Sequence, residues 1–227
     1  MVRTVLTAAL ALATAALAQA HFVFVVPDAK NPAKVVVVFS EDLEVDEAVP
    51  ADRLAGLKLT GRFEGGKAAP VECKAGKSCL TAELGLVNPQ VVFGTHALGV
   101  MQKGDAKPFL LAYHAKAVFA GADPKHALLG EKLAPAELIP EMADGKVRFR
   151  FVAGGKPVGD AVVTVIKPEG GKAKATTDKE GRTEPFPAKG RYGAWARHTV
   201  AGAGEHGGKK YDEARHYATL VLDLPTK

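Results

Sequence analysis

The feature that most constrains this chain is a recurrence of short β-branched and aromatic runs, each closed by a cluster of Gly, Pro, Asp or Lys. The runs are His21–Val26, Val35–Ser40, Leu57–Phe63, Gln90–Phe93, Phe109–Phe119, Lys146–Val152, Ala161–Ile166, Gly190–Thr199 and Arg215–Leu224. Segments this short, rich in Val, Ile, Phe and Tyr and bounded by turn residues, favour strands over helices. In GKVRFRFVAG, Val147, Phe149 and Phe151 alternate with Arg148 and Arg150, which puts apolar groups on one face and charges on the other. Helical signals are confined to Ala51–Leu57 and Pro135–Glu141, each long enough for a turn or two. The pattern predicts an all-β fold. The Pro-containing segment Ala134–Asp144 (APAELIPEMAD) lacks strand character and marks a boundary between two β domains, residues 21–140 and 141–227.

The first twenty residues read differently. Arg3 precedes an uncharged run from Val5 to Ala18, and Ala18-Gln19-Ala20 fits the small-x-small cleavage pattern of a secretory signal peptide. The run is short for a bilayer span, which needs about 20 apolar residues. A signal peptide at residues 1–20 predicts a periplasmic or secreted protein with no membrane span after cleavage and His21 as its new first residue. Cys73 and Cys79 flank KAGKS, and in an oxidising compartment they would most simply form one disulfide closing a small loop. Their spacing is not that of a CxxC redox pair. The net charge of +5 is spread over turns such as Gly65–Lys67, Lys172–Lys174 and Lys209–Lys210. A solvated surface explains it better than nucleic-acid binding, which wants a basic stripe with aromatic platforms.

Chemistry points to histidine. All seven histidines follow the signal peptide: His21, His96, His114, His126, His198, His206 and His216. Imidazole nitrogens suit nickel, copper and zinc. Freed by cleavage, His21 would present an α-amine and a ring Nδ1 to one metal ion. An unperturbed α-amine has a pKa of about 8, so a metal displaces its proton near neutrality. One more imidazole would complete a three-nitrogen histidine brace.

Strand parity sorts the remaining histidines. His216 shares a face with Ala218, Leu220, Leu222 and Leu224, while His198 shares one with Tyr192, Ala194 and Ala196. A hairpin through the Gly-rich loop AGAGEHGG would bring His198 and His216 together. His114 and Lys116 point opposite Tyr113 and Ala115, which suits a surface or domain junction. His96 falls in a Gly-flanked loop, FGTHALGV, and His126 and His206 fall in turns. Motifs for zinc proteases, nucleophile elbows, phosphate loops and EF-hands are missing from the sequence, so no catalytic residue is expected. The acidic segment SEDLEVDEAV reads as a solvated loop.

Two resemblances add to this reading. The order GKPV, GDAVVTV, KPEGG, TDKEG and GRY, with turns at Asp178–Gly181 and Ala188–Gly190, resembles transthyretin-like or carboxypeptidase-regulatory-like modules. These are small immunoglobulin-like β-sandwiches. The likeness covers about Asp144 to Pro225 and implies an immunoglobulin-like β-sandwich there, so that with the strand runs before it the expectation is two immunoglobulin-like β-sandwich domains; it says little of function. The start AHFVFVVPD, the middle FLLAYHAKA and the end GEHGGKKYDEARHYATLVL together resemble a bacterial family of periplasmic proteins. That family is grouped with the accessory periplasmic component of nickel and cobalt uptake transporters. The resemblance implies transition-metal handling with His21 at the mature N-terminus. It draws attention to His114 and His216, with His198 beside the end motif.

The leading expectation is therefore a non-catalytic periplasmic protein that binds nickel, cobalt or copper. Its candidate ligands are His21, His114, His198 and His216, and its candidate partner is a membrane metal-transporter component. A second reading is a secreted structural or carbohydrate-binding module without metal. A third is a copper oxygenase built on the brace, although one Trp and four Tyr make a poor polysaccharide platform.

Overall fold

The computed structural model describes residues 21–85 and 89–225. The signal-peptide expectation for residues 1–20 lies outside the described residues. The rest is predominantly strand with minimal helix, as the alternating runs predict. In chain order the strands are β1 (Phe22–Pro27), β2 (Lys34–Ser40), β3 (Lys58–Phe63), β4 (Ala68–Val71), β5 (Cys73–Ala75), β6 (Leu80–Glu83), β7 (Pro89–Met101) and β8 (Phe109–Val118). They continue with β9 (Ala136–Ala143), β10 (Lys146–Ala153), β11 (Lys156–Pro157), β12 (Val162–Ile166), β13 (Lys172–Thr176), β14 (Phe186–Pro187), β15 (Gly190–His206) and β16 (Lys209–Leu224). No helix among the described residues is long and apolar enough to cross a membrane.

The architecture has three layers. A central sheet runs in the order β13-β12-β15-β16-β8-β7-β3-β4. A small sheet, β1-β2-β6-β5, covers one of its faces, and β9, β10, β11 and β14 cover the other. Each interface is a hydrophobic core. The first gathers β1 and β2 with Val92, Tyr113, Ala115, Ala117 and Val221. The second gathers Phe149 and Phe151 with Val118, Val163, Ala194, Leu220 and Leu222. Strand β8 is buried without interruption from Ala112 to Val118, because both of its faces are covered. Phe149, wholly buried, packs its ring against Phe186 and Tyr192.

The central sheet crosses the expected domain boundary. The last strand, β16, pairs in parallel with β8, Ala218 opposite His114 and Leu222 opposite Val118. The boundary at 140/141 falls inside β9, which pairs along its whole length with β10. The helical turn expected over Pro135–Glu141 is this strand instead. Pro140 is tolerated because β9 pairs with β10 alone, and an edge strand does not need every N–H. The turn expected over Ala51–Leu57 does form, as a short 3-10 turn at Ala51–Leu54. The glycines expected to make a loop after His198 instead extend the hairpin to His206 and Lys209. Gly207 and Gly208, both at positive φ, close it with the geometry that two-residue hairpin turns require.

Cys73 and Cys79 are free thiols here, where a disulfide was expected. The hairpin register gives the reason. Cys73 lies opposite Ala82, while the carbonyl of Cys79 accepts the N–H of Gly76. Three residues along a strand separate the two levels, about 10 Å, beyond the reach of about 7 Å between disulfide-bonded Cα atoms.

One ion pair ties the central sheet to the layer above it. Lys116 on β8 donates to Glu137 on β9 at 2.6 Å and to the Ala127 carbonyl at 2.6 Å. Glu137 also accepts the N–H groups of Leu129 and Gly130. Both side chains are almost fully buried. Burial pushes the Lys116 ammonium below its ordinary pKa range, and Glu137 pulls it back. Glu137→Gln strands the Lys116 charge and is expected to destabilise the fold by about 3–5 kcal/mol. The double change Lys116→Met with Glu137→Leu is expected to recover most of that loss. Urea unfolding of the three proteins decides it, and a neutral Glu137→Gln would show that the pair contributes nothing.

Candidate functional site: His21 and the pocket beside it

His21 precedes β1, at the end of the small sheet. Its Nε2 lies 2.7 Å from Asp46 Oδ2. An ionised carboxylate only accepts, so Nε2 carries a proton, and in the neutral ring Nδ1 is the nitrogen with the lone pair. The bond holds the Asp46 carboxyl below its usual range, helped by the N–H of Ala48. The Tyr113 hydroxyl donates to the His21 carbonyl at 3.0 Å, and the His21 ring packs on Phe39 with centroids 5.6 Å apart. The residue is therefore held by its ring, its carbonyl and its stacking partner.

Next to it the central sheet runs past the end of the small sheet and leaves part of its face uncovered. The resulting pocket encloses about 510 Å³. Its floor is Phe109, Leu111 and Tyr113 from β8 with Arg215 and Tyr217 from β16. Its walls include His21, Phe22, Phe39, Arg53 and Leu98. Tyr113 and Tyr217 stack with centroids 5.6 Å apart, and Phe22 reaches Tyr217 at 5.4 Å. The Arg215 guanidinium sits 3.6 Å over the Phe109 ring and is braced by Glu213.

The other candidate histidines form a separate group. His198 and His216 face each other across the β15–β16 pair, as the hairpin argument predicts. His114 Nε2 lies 2.9 Å from His216 Nδ1, and His114 Nδ1 lies 3.0 Å from Thr95 Oγ1. By strand alternation these three histidines share the face of Ala218 and Leu220, whereas His21 packs on the face of Tyr113 and Tyr217. The sheet thus lies between His21 and the imidazoles expected to join it. Among the described residues, no group of three or more His, Cys, Asp and Glu side chains is arranged to hold a metal ion.

His114 is 5 % exposed and so lies away from the surface; of the two positions expected it takes the junction, meeting His216 across the expected domain boundary. His96 is a buried strand residue, not a loop residue, and its Nε2 lies 2.7 Å from the Arg53 carbonyl. Four contributors escaped the sequence reading. Asp46 was read as part of a solvated acidic loop. Tyr113, Arg215 and Tyr217 are sequence neighbours of His114 and His216, so alternation places them on the opposite face, over the pocket. In comparisons with known proteins, no family model matches the chain and no curated protein matches its sequence.

The buried histidine pair has a consequence for stability. Burial, and then the neighbouring His216, lower the His114 pKa to about 4. Burial and His198 lower that of His216, and burial lowers that of His96. Two imidazoliums would set N–H against N–H across the 2.9 Å contact, so at least one ring must stay neutral. The unfolded chain binds these protons first, at a pKa of about 6.5. Stability is therefore full above about pH 6.5 and falls as pH drops toward about 4, by an amount on the order of 3 kcal/mol from His114 alone. The carboxyls held below their usual range, at Asp28, Asp46, Asp123 and Glu169, lose their contribution only below about pH 4.5, a separate window. Urea midpoints between pH 7 and 4.5 are expected to fall steeply for the parent protein and less steeply for His114→Leu. Equal slopes would remove His114 from the account.

Proposed function

We propose that this is an exported, periplasmic transition-metal binding protein in which His21, once freed by cleavage after Ala20, anchors a nickel, cobalt or copper ion as cargo. The observation that carries the reading is the bond from His21 Nε2 to Asp46. Histidines that hold metals commonly give their second ring N–H to a carboxylate, which fixes the tautomer and raises the basicity of the binding nitrogen. Here that nitrogen is Nδ1, the one that closes a chelate ring with the α-amine of the same residue. The pocket leaves room on the ion for further donors, which suits loading and release to a membrane metal-transporter component. The region from β9 to β16 belongs to this reading as an immunoglobulin-like sandwich of the transthyretin-like kind. A copper oxygenase is favoured less, because His114, His198 and His216 sit across the sheet from His21.

Calorimetric titration with copper and with nickel tests the proposal. The protein is the mature chain, with His21 shown to be its first residue by mass spectrometry. Tight one-to-one binding is expected, with loss of binding when an extra Ala precedes His21. Asp46→Asn is expected to weaken binding by roughly 10–100-fold. Equal binding by the Ala-extended chain would overturn His21 as the anchor, and no binding by either would overturn the metal reading and favour a secreted structural or carbohydrate-binding module.

A further inference from the structure

The pocket beside His21 is far larger than an ion needs. Its volume of about 510 Å³ lies within the range of small-molecule sites, about 300–1,000 Å³. Its walls are mostly apolar and aromatic, from Phe22, Phe39, Phe109, Tyr113 and Tyr217. Two guanidinium groups, Arg53 and Arg215, supply its fixed positive charge. Arg215 is pre-positioned by its seat on Phe109 and by Glu213, so little ordering entropy is lost when it takes up a ligand. Its floor comes from long strands in the middle of the central sheet, so the shape is built by the fold. A patch of partly exposed aromatic side chains, Phe39, Phe109 and Tyr217, beside two arginines is complementary to a flat, apolar body carrying one acidic group.

We infer that the pocket binds a small organic anion, a planar aromatic or unsaturated body bearing a carboxylate. The ring lies against Tyr217 and Phe39, and the carboxylate meets Arg215 and Arg53. The site depends on the pocket alone and is independent of any ion on His21.

The test uses the mature chain after chelator treatment, so that failure of the metal reading leaves it intact. The probes are 2-naphthoate, its neutral amide 2-naphthamide, and cellotriose, followed by calorimetry and by NMR shifts of the pocket residues. The acid is expected to bind below millimolar concentration, and the amide at least about tenfold more weakly, the difference a charge-assisted hydrogen bond makes. Arg215→Gln is expected to reduce binding of the acid by a similar factor. Leu98→Trp, which fills the pocket from its wall, is expected to abolish binding while leaving the melting temperature unchanged. Equal binding of acid and amide would overturn the proposal. So would binding of the acid that survives Leu98→Trp, no binding at millimolar acid, or binding of cellotriose alone.

Discussion

The parallel pairing of β16 with β8 is the constraint on which the rest of the molecule depends. It joins strands from the two halves of the chain into one sheet and sets which side chains stand on each face. Side chains alternate along a strand with a period of two, so a slip of one residue would exchange the faces. Leu220 and Leu222 would then turn away from the core around Phe149, and Tyr217 and Val221 from the core under β1. Both cores require the same register, which makes it hard to shift.

That register also separates the candidate chemistry. Tyr113 and His114 are neighbours on β8, and His216 and Tyr217 are neighbours on β16. Each pair is split between the two faces. On one side the tyrosines floor an open pocket beside His21. On the other the histidines pair with each other and with Thr95 at the margin of a closed core. The same short sequence motifs thus serve two environments, an open pocket on one face and the acid-sensitive margin of a buried core on the other. The buried Lys116–Glu137 pair continues the polar row on the closed side and anchors the covering layer.

Much of the strand content was legible because alternation leaves a local trace. The Val147, Phe149 and Phe151 face is buried, and Arg148 faces away from it. The approach of His198 to His216 was legible for the same reason, since a hairpin ties its register to its turn. Strand β9 was not legible, because Pro140 reads as a breaker until the strand is known to lie at an edge. The role of Asp46 was hidden too, since nothing local distinguishes it from the other acids of its loop. Its partner lies 25 residues away in the chain.

The sequence by itself determined the all-β class, the in-and-out pattern of most strands and the candidate histidines, because each depends on spacing over a few residues. Tertiary structure alone decided that the two halves share one sheet, that Cys73 and Cys79 sit at different levels of their hairpin, and that His21 stands across that sheet from His114, His198 and His216. Those outcomes depend on which distant strands pair and in what register. Backbone hydrogen bonds between strands are nearly indifferent to side-chain identity, so the choice falls to the packing of two cores at once.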